Sequence, residues 1–151
     1  METVNLDLDR KIQWLIDVEE IRTLMSKYCH GIDKREEDTF MSIWAADGVY
    51  ELPRGQTSGL EGIRQLLYKV WREVPKCHHH ITNPLVEVHG DTATARSDVI
   101  YYRETSDGLL QLLSGTYSFR FAKRAGEWKT TYLAFSSFDT ISPVFAQTAR
   151  A

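Results

Sequence analysis

Hydrophobic residues in the first third of the chain recur every three or four positions. This spacing places their side chains on one face of an amphipathic helix. The residues on this face are Leu15, Ile21, Leu24, Met25, Tyr28, Cys29 and Ile32. We therefore predict a long first helix that packs this face against the core.

Two shorter segments follow the first helix. Phe40, Ile43 and Trp44 have the spacing of a short second helix that ends before residues 47–48. Residues 49–52 are typical of a short strand, which the Pro53-Arg54-Gly55 sequence would stop.

A third helix is predicted from residue 58 onward. Ser58 and Glu61 have the spacing of a capping box, in which the two side chains bond to free amides at the start of a helix. The apolar residues that follow on one face are Ile63, Leu66, Leu67 and Val70. The helix should end before Pro75, because a residue that precedes proline avoids the helical conformation.

After residue 76 the period changes from helical to strand-like. Segments rich in Val, Ile, Tyr, Phe, Thr and Trp alternate with turn signals that are spaced as hairpin connections. The four predicted strands are residues 77–88, 92–104, 109–122 and 127–138. Two of them are long for strands, so we expect bends or bulges. The tail from Ile141 has no clear period.

This order of elements predicts an α+β fold. Three N-terminal helices packed on a strongly curved, mainly antiparallel sheet satisfy it, since helices segregated to one face mark this class. Such a fold leaves a cavity between helices and sheet, where a ligand would bind. The length of 151 residues suits one domain, residues 1–151, with a sizeable core.

Charge and hydropathy exclude several classes of function. Lys and Arg total 18 against 21 Asp and Glu, a net charge of −3 with no basic stripe, so nucleic acid is not expected as a partner. No apolar run exceeds four residues, whereas a membrane-spanning helix needs about twenty. The N-terminal residues lack the basic start and apolar stretch of a signal peptide.

The two cysteines, Cys29 and Cys77, have neither a metal-ligand spacing nor a disulfide framework. Their simplest interpretation is as small buried side chains in a reducing compartment. We therefore expect a cytoplasmic protein whose partner is a small molecule rather than nucleic acid or a membrane.

Asp33 is the first residue that could carry chemistry. It continues the apolar face of the first helix at its C-terminal end, where the helix dipole disfavours a carboxylate. The simpler interpretation is that it pairs with Lys34 or Arg35 at the surface. A buried role needs a partner elsewhere in the fold.

His79 lies in a run of three histidines. Alternation along a strand directs His79 to the face opposite His78 and His80, which argues against one shared metal ion, so we predict no metal site. His79 is either a core histidine bonded to a backbone carbonyl or a general base that faces the cavity. If Asp33 meets His79, the carboxylate would fix the tautomer of the ring and stabilise the imidazolium.

Tyrosine is the third candidate group. Tyr28, Tyr50, Tyr101, Tyr102 and Tyr117 could line a cavity with apolar walls and hydroxyl donors. Strand alternation allows only one of Tyr101 and Tyr102 to face inward.

Four short motifs resemble those of the SnoaL-like branch of the nuclear transport factor 2-like superfamily, which includes hexachlorocyclohexane dehydrochlorinase, scytalone dehydratase and bile acid 7α-dehydratase. The motifs keep their order over about residues 10–138 and are Tyr28-x-x-x-x-Asp33-Lys34-Arg35, Ser42-Ile43-Trp44-x-x-Asp47, His79-x-x-Thr82-Asn83 and Gly126-x-Trp128-Lys129. The resemblance implies a cone-shaped, cystatin-like half-barrel with one deep pocket. It also implies no metal or organic cofactor, and a homo-oligomer that is a trimer or a dimer.

The resemblance also assigns roles to individual residues. Asp33 and His79 match the catalytic His–Asp dyad of the family, and Tyr28 stands where the dehydratases carry a tyrosine that polarises a substrate oxygen. The positions expected to line the pocket are Tyr50, Val99, Tyr101, Leu113, Leu133, Phe135 and Ser137.

One position departs from the family pattern. The dehydrochlorinase has an arginine that assists the leaving group five residues after its late tryptophan, where this chain has Leu133. Dehydrochlorination would lose that cation, and another acid must assist dehydration. Tyr28, Tyr50 or Tyr101 could donate the proton, and Arg103 is a weaker candidate.

We therefore predict a cofactor-independent lyase that acts on a hydrophobic, ring-bearing small molecule. It would eliminate water or another small neutral fragment such as formaldehyde, with the His–Asp dyad as general base. An isomerase or cyclase of a polyketide- or steroid-like substrate would need the same base. The alternatives from other classes are a non-catalytic ligand-binding protein and a helper subunit of a ring-hydroxylating dioxygenase.

Overall fold

The computed structural model describes the backbone of residues 7–53, 55–105 and 107–146, and the side chains of these ranges other than residues 139 and 141–146. Its elements, in chain order, are α1 (Leu8–Lys34), α2 (Glu37–Ser42), β1 (Trp44–Leu52), β2 (Gly55–Ser58), α3 (Gly59–Glu73), β3 (Lys76–His89), β4 (Thr92–Glu104), β5 (Leu109–Arg124) and β6 (Glu127–Ala146). No helix in the described ranges is long and apolar enough to cross a membrane.

The six strands form one mixed sheet in the order β2-β1-β6-β5-β4-β3. Only β1 and β6 pair in parallel, and the other pairs are antiparallel. The sheet is curved and unclosed, and the helices pack on one of its faces. The α+β class predicted from the sequence is therefore confirmed.

Helix α1 begins at an aspartate cap and ends in a left-handed residue. The Asp7 carboxylate accepts a hydrogen bond from the Arg10 amide at 3.0 Å, and Arg35 has a φ of 59°. The predicted apolar face is buried except for Leu15, which is exposed. Near the C-terminal end, Gly31 allows close contact with α2, since a Cβ there would lie 2.7 Å from Phe40 Cα.

Two predicted boundaries are wrong and one strand was missed, because pairing within the sheet overrides what the local sequence indicates. Helix α2 ends at Ser42, and Trp44 begins β1, where it pairs with Thr130 of β6. Strand β2 was not predicted, because its sequence, Gly55–Ser58, contains no apolar residue. Strand β6 continues to Ala146 beside β5, so the tail lacks a period but is still a strand.

The predicted cap at the start of α3 differs from the structure, whereas the predicted bulges in the long strands agree with it. The predicted capping box at α3 does not form: the Ser58 side chain makes no cap hydrogen bond, and Glu61 bonds to Arg64 and Gln65. The β3–β4 register shifts after Thr82, where the next residue has a φ of 51°. Bulges in the long strands are thus confirmed, and they curve the sheet around the core.

Candidate active site

A cavity of about 580 Å³ opens between α1, α3 and the inner face of the sheet. Aromatic rings from the sheet form one wall, and they are Tyr101, Tyr117 and Phe135. Aliphatic side chains complete the apolar lining, and they include Ile32, Leu66, Val70 and Leu113. The polar side chains on its surface include Tyr28, Tyr50, His79 and Arg103. The site is therefore a chamber with aromatic and aliphatic walls that also carries polar and charged side chains, a combination found in small-molecule sites.

Asp33 and His79 meet at the edge of this cavity. Asp33 lies in the last turn of α1 and His79 on β3, and the Asp33 Oδ1 to His79 Nδ1 distance is 2.6 Å. The other carboxylate oxygen of Asp33 accepts the backbone N–H of His79 at 2.8 Å. Both side chains are only 5% exposed. Asp33 therefore pairs with His79 rather than with Lys34 or Arg35.

This arrangement determines what the imidazole can do. Ionised Asp33 only accepts hydrogen bonds, so Nδ1 of His79 carries the proton of the pair, and in the neutral ring Nε2 keeps its lone pair. Nε2 has no hydrogen-bond partner among the described side chains. The ring is held by stacking on Tyr101, with centroids 4.7 Å apart, and by an edge contact with Tyr28. A fixed ring with a free lone pair is suited to accept a proton.

Asp33 stays ionised although it is buried. Burial alone would raise the pKa of Asp33, but hydrogen bonds from His79 and the thiol of Cys77 outweigh it and lower that pKa below its ordinary value. The Cys77 Sγ lies 3.4 Å from Asp33 Oδ1. Burial and the nearby carboxylate raise the pKa of Cys77 to about 12, so its sulfur is a neutral thiol donor.

Asp33, Cys77 and His79 place three atoms that can ligate metals within 4.8 Å of one another. The three groups already bond to one another, since the Asp33 carboxylate accepts from both His79 Nδ1 and the Cys77 thiol. A tetrahedral zinc site would need a further ligand beside these three groups. The absence of a metal or cofactor stays a prediction.

Three tyrosine hydroxyls meet inside the cavity. Tyr28 Oη lies 2.6 Å from Tyr50 Oη and 3.2 Å from Tyr117 Oη. All three residues are at most 3% exposed. Burial raises the pKa of each of them above the ordinary value for tyrosine, so all three remain protonated at neutral pH. Two hydrogen bonds use two of the three hydroxyl protons, which leaves one proton to donate to a ligand.

The structure brings most of the predicted pocket residues together and leaves two outside. Tyr50, Tyr101, Leu113, Phe135 and Ser137 line the cavity. Val99 and Leu133 do not line it. They are 1% and 0% exposed and lie in the core, so predicting them as pocket residues was wrong. Side-chain packing fills the space above these positions, which strand alternation alone does not reveal.

Alternation correctly sorts the neighbours of the site. His78 and His80 are exposed on the outer face, where they stack on each other and His78 stacks on Tyr102. Tyr101 is therefore the inward tyrosine of the pair. Sequence reasoning named Tyr117 among five tyrosines that could line the cavity but gave it no role in the site, and it interpreted Cys77 as a buried side chain. The alternation of side chains along each strand would have indicated both. Tyr117 shares the inward face of β5 with Leu113, and Cys77 shares the inward face of β3 with His79.

Comparisons with known proteins agree with this architecture. Residues 13–134 match the family described as SnoaL-like domain. The chain is 30% identical over 131 residues to hexachlorocyclohexane dehydrochlorinase 1 of Sphingobium indicum, covering 84% of this chain and 82% of that protein. The crystal structure of hexachlorocyclohexane dehydrochlorinase LinA-type3 from Novosphingobium barchaimii LL02 is similar, with a TM-score of 0.81 at 28% identity, covering 92% of this chain and 97% of that one.

A more distant structure supports the fold alone. An NTF2-like protein with a cystatin-like fold from Novosphingobium aromaticivorans has a TM-score of 0.76 at 23% identity, covering 91% of this chain and 93% of that one. The matched residues include Asp33, His79 and Trp128, which lie in the motifs that carried the resemblance. The dehydrochlorinases among these relatives are lyases. This chain belongs to the SnoaL-like domain family.

Proposed function

We propose that this protein is a cofactor-independent lyase that eliminates water from a hydrophobic, ring-bearing small molecule. The observation that carries the proposal is the 2.6 Å hydrogen bond between His79 and Asp33 on the wall of an apolar cavity. Similarity to dehydrochlorinases supports the lyase class, because loss of HCl and loss of water both require a base that takes a proton from carbon.

His79 is the proposed base. Its Nε2 takes a proton from a carbon beside an activating group, and the electron pair of that C–H bond forms the new double bond. Asp33 stabilises the imidazolium that results and keeps the ring in the reactive tautomer. After product release, the imidazolium returns its proton to solvent or to the donor described next.

The tyrosine cluster is the proposed acid. As the C–O bond breaks, a hydroxyl proton of the cluster passes to the departing oxygen, so that water leaves and a tyrosinate forms. Tyr28 stands at the centre of the cluster and connects the other two hydroxyls. Proton transfer from imidazolium to tyrosinate, directly or through water, restores both groups.

The same residues favour oxygen over chloride as the leaving atom. Tyrosine hydroxyls assist a group that accepts a proton, whereas chloride leaves as an anion and needs a cation. Leu133 is fully buried outside the cavity, so no cation at that position can assist a halide. Arg103, the cation on the sheet wall, lies two residues beyond Tyr101, about 7 Å along the strand from the residue that pairs with His79. Loss of another small neutral fragment, such as formaldehyde, would use the same base.

The test uses adjacent histidines of one strand. His79→Ala should lower kcat by at least about a hundredfold, the contribution of a positioned general base, whereas His80→Ala on the outer face should stay within twofold of wild type. The substrates are ring-bearing β-hydroxy carbonyl compounds, whose conjugated products absorb in the ultraviolet. Equal activity in His79→Ala and wild type, or no turnover of any such compound, would contradict the proposal.

A further inference from the structure

Arg103 is a cationic residue of the cavity that the proposed elimination does not use. It lies on β4, two residues beyond Tyr101, and its half-buried side chain lines the cavity. Its Nε donates to Gln111 Oε1 at 2.9 Å, which holds the plane of the guanidinium group. Across the described part of the chain, its two terminal nitrogens have no hydrogen-bond or ion-pair partner.

The other charged groups at this end of the cavity nearly cancel. Lys69 and Glu73 of α3 also line it, and their charged atoms lie 3.9 Å apart with side chains 59% and 64% exposed. Burial raises the pKa of Tyr101 and the charge of Arg103 opposes this rise, so the field of Arg103 reaches the inner wall. Among the charged side chains that line the cavity, Arg103 is therefore the cation that no lining carboxylate pairs with in the described residues.

Building on the proposed function, we infer that Arg103 binds a carboxylate of the substrate, so that the substrate class is ring-bearing carboxylates. The two terminal nitrogens form a planar fork that matches the two oxygens of a carboxylate. The carboxylate would supply the partner that these two nitrogens lack among the described residues. Gln111 acts as a positioning residue, because it orients the fork without contacting the substrate.

The strand register gives the distance between the two ends of such a substrate. His79 pairs with Tyr101, and Arg103 lies two residues farther along the same face. Two residues of an antiparallel strand span about 7 Å, close to the span of one aromatic ring with its substituent. A ligand ring beside the stacked rings of His79 and Tyr101 would therefore place its carboxylate at Arg103 and its reacting side chain at His79.

The test compares two ligands of the same shape, naphthalene-2-carboxylate and naphthalene-2-carboxamide, by isothermal titration calorimetry. Wild type should bind the carboxylate at least about tenfold more tightly than the amide, the effect expected of a hydrogen bond to a charged group. In Arg103→Gln this ratio should fall to about one while affinity for the amide is retained. Arg120→Gln is the matched control, since Arg120 lies over Tyr132 on the outer face.

Each remaining outcome overturns the inference. An unchanged ratio in Arg103→Gln, or no preference in wild type, would show that Arg103 does not recognise the charge. Equal loss of both ligands in Arg103→Gln would show that it only maintains the shape of the cavity. The elimination is tested separately, because His79→Ala should keep the binding ratio while turnover is lost, and turnover that survives in His79→Ala contradicts the proposed function alone.

Discussion

Replacing Asp33 by asparagine tests the role of the carboxylate with almost no change in shape. In wild type one oxygen accepts the backbone N–H of His79 and the other accepts both Nδ1–H and the Cys77 thiol. An asparagine has only one acceptor oxygen, which the backbone N–H of His79 will occupy. Its NH₂ group then faces Nδ1, which must become an acceptor, so the ring proton moves to Nε2.

The expected loss of activity follows from this change of tautomer. A protonated Nε2 cannot accept a proton from the substrate, although the cavity and the tyrosines are unchanged. We expect kcat to fall by about 10³ to 10⁴, the effect known for a wrong tautomer in acid–base dyads. The KM should change little, because neither oxygen of Asp33 faces the cavity wall that holds the ring of the ligand.

Stability should change with a defined pH dependence. The pKa of Asp33 is lowered in the folded protein, so the pair contributes stability that is fully present above the unfolded pKa of about 3.9 and is lost as pH falls through the folded value. Asparagine does not titrate. We expect Asp33→Asn to be less stable by about 2 kcal/mol at pH 7, and the difference to shrink below about pH 4.

Urea denaturation at pH 7 and pH 3, together with initial rates on a turned-over substrate, measures both effects. A difference of about 2 kcal/mol corresponds to a decrease in Tm of roughly 4–8 °C for a domain of this size. The reasoning is refuted if Asp33→Asn keeps more than a tenth of the wild-type kcat. It is also refuted if the stability difference is equally large at both pH values.

Four further predictions test other parts of the structure. Tyr28→Phe removes the hydroxyl that joins Tyr50 and Tyr117, so kcat should fall about a hundredfold. The control Tyr132→Phe should leave kcat unchanged. Equal rates in Tyr28→Phe and wild type would exclude the tyrosine cluster as the acid. Leu133→Arg should destabilise the fold by more than about 3 kcal/mol in urea without creating dehydrochlorinase activity, since that side chain is fully buried. Asp17→Asn should cost about 1.5 kcal/mol, because Lys123 Nζ loses its ion-pair partner at 2.8 Å and Trp128 Nε1 donates to an amide instead of a carboxylate at 3.0 Å, while kcat per folded molecule stays constant. The predicted homo-oligomer, a trimer or dimer through the outer sheet face with exposed Ile100 and Phe138, should appear in light scattering, and a monomer at micromolar concentration contradicts it.

Much of the fold can be predicted from periodicity, because the long elements are amphipathic. Helix α3 shows its apolar residues at helical spacing, and the strands of the meander alternate between core and solvent. The errors occur where pairing with a neighbouring strand, rather than the local sequence, determines the secondary structure. Trp44 has helical spacing with Phe40 but joins a strand through its parallel pairing with β6, and β2 has no apolar residue to indicate it.

The candidate site could be predicted in part. The motifs give Asp33 and His79, but only the three-dimensional packing of α1 on β3 places their atoms 2.6 Å apart. Alternation separates Tyr101 from Tyr102. It does not show that Val99 and Leu133 lie beneath other side chains, because the depth of a residue below the cavity depends on the volumes of its neighbours. Tyr117 was one of five candidate tyrosines, and only the packing shows that its hydroxyl meets those of Tyr28 and Tyr50.

The central claim is that Asp33 holds His79 with its proton on Nδ1 and its lone pair on Nε2. Long-range ¹H–¹⁵N correlation spectra of histidine-labelled protein at pH 8, with His79→Ala for assignment, measure this tautomer directly. The account predicts that Nδ1 of His79 carries the proton, that Nε2 does not, and that the order reverses in Asp33→Asn. A proton on Nε2 in wild type would contradict the assignment of His79 as the base.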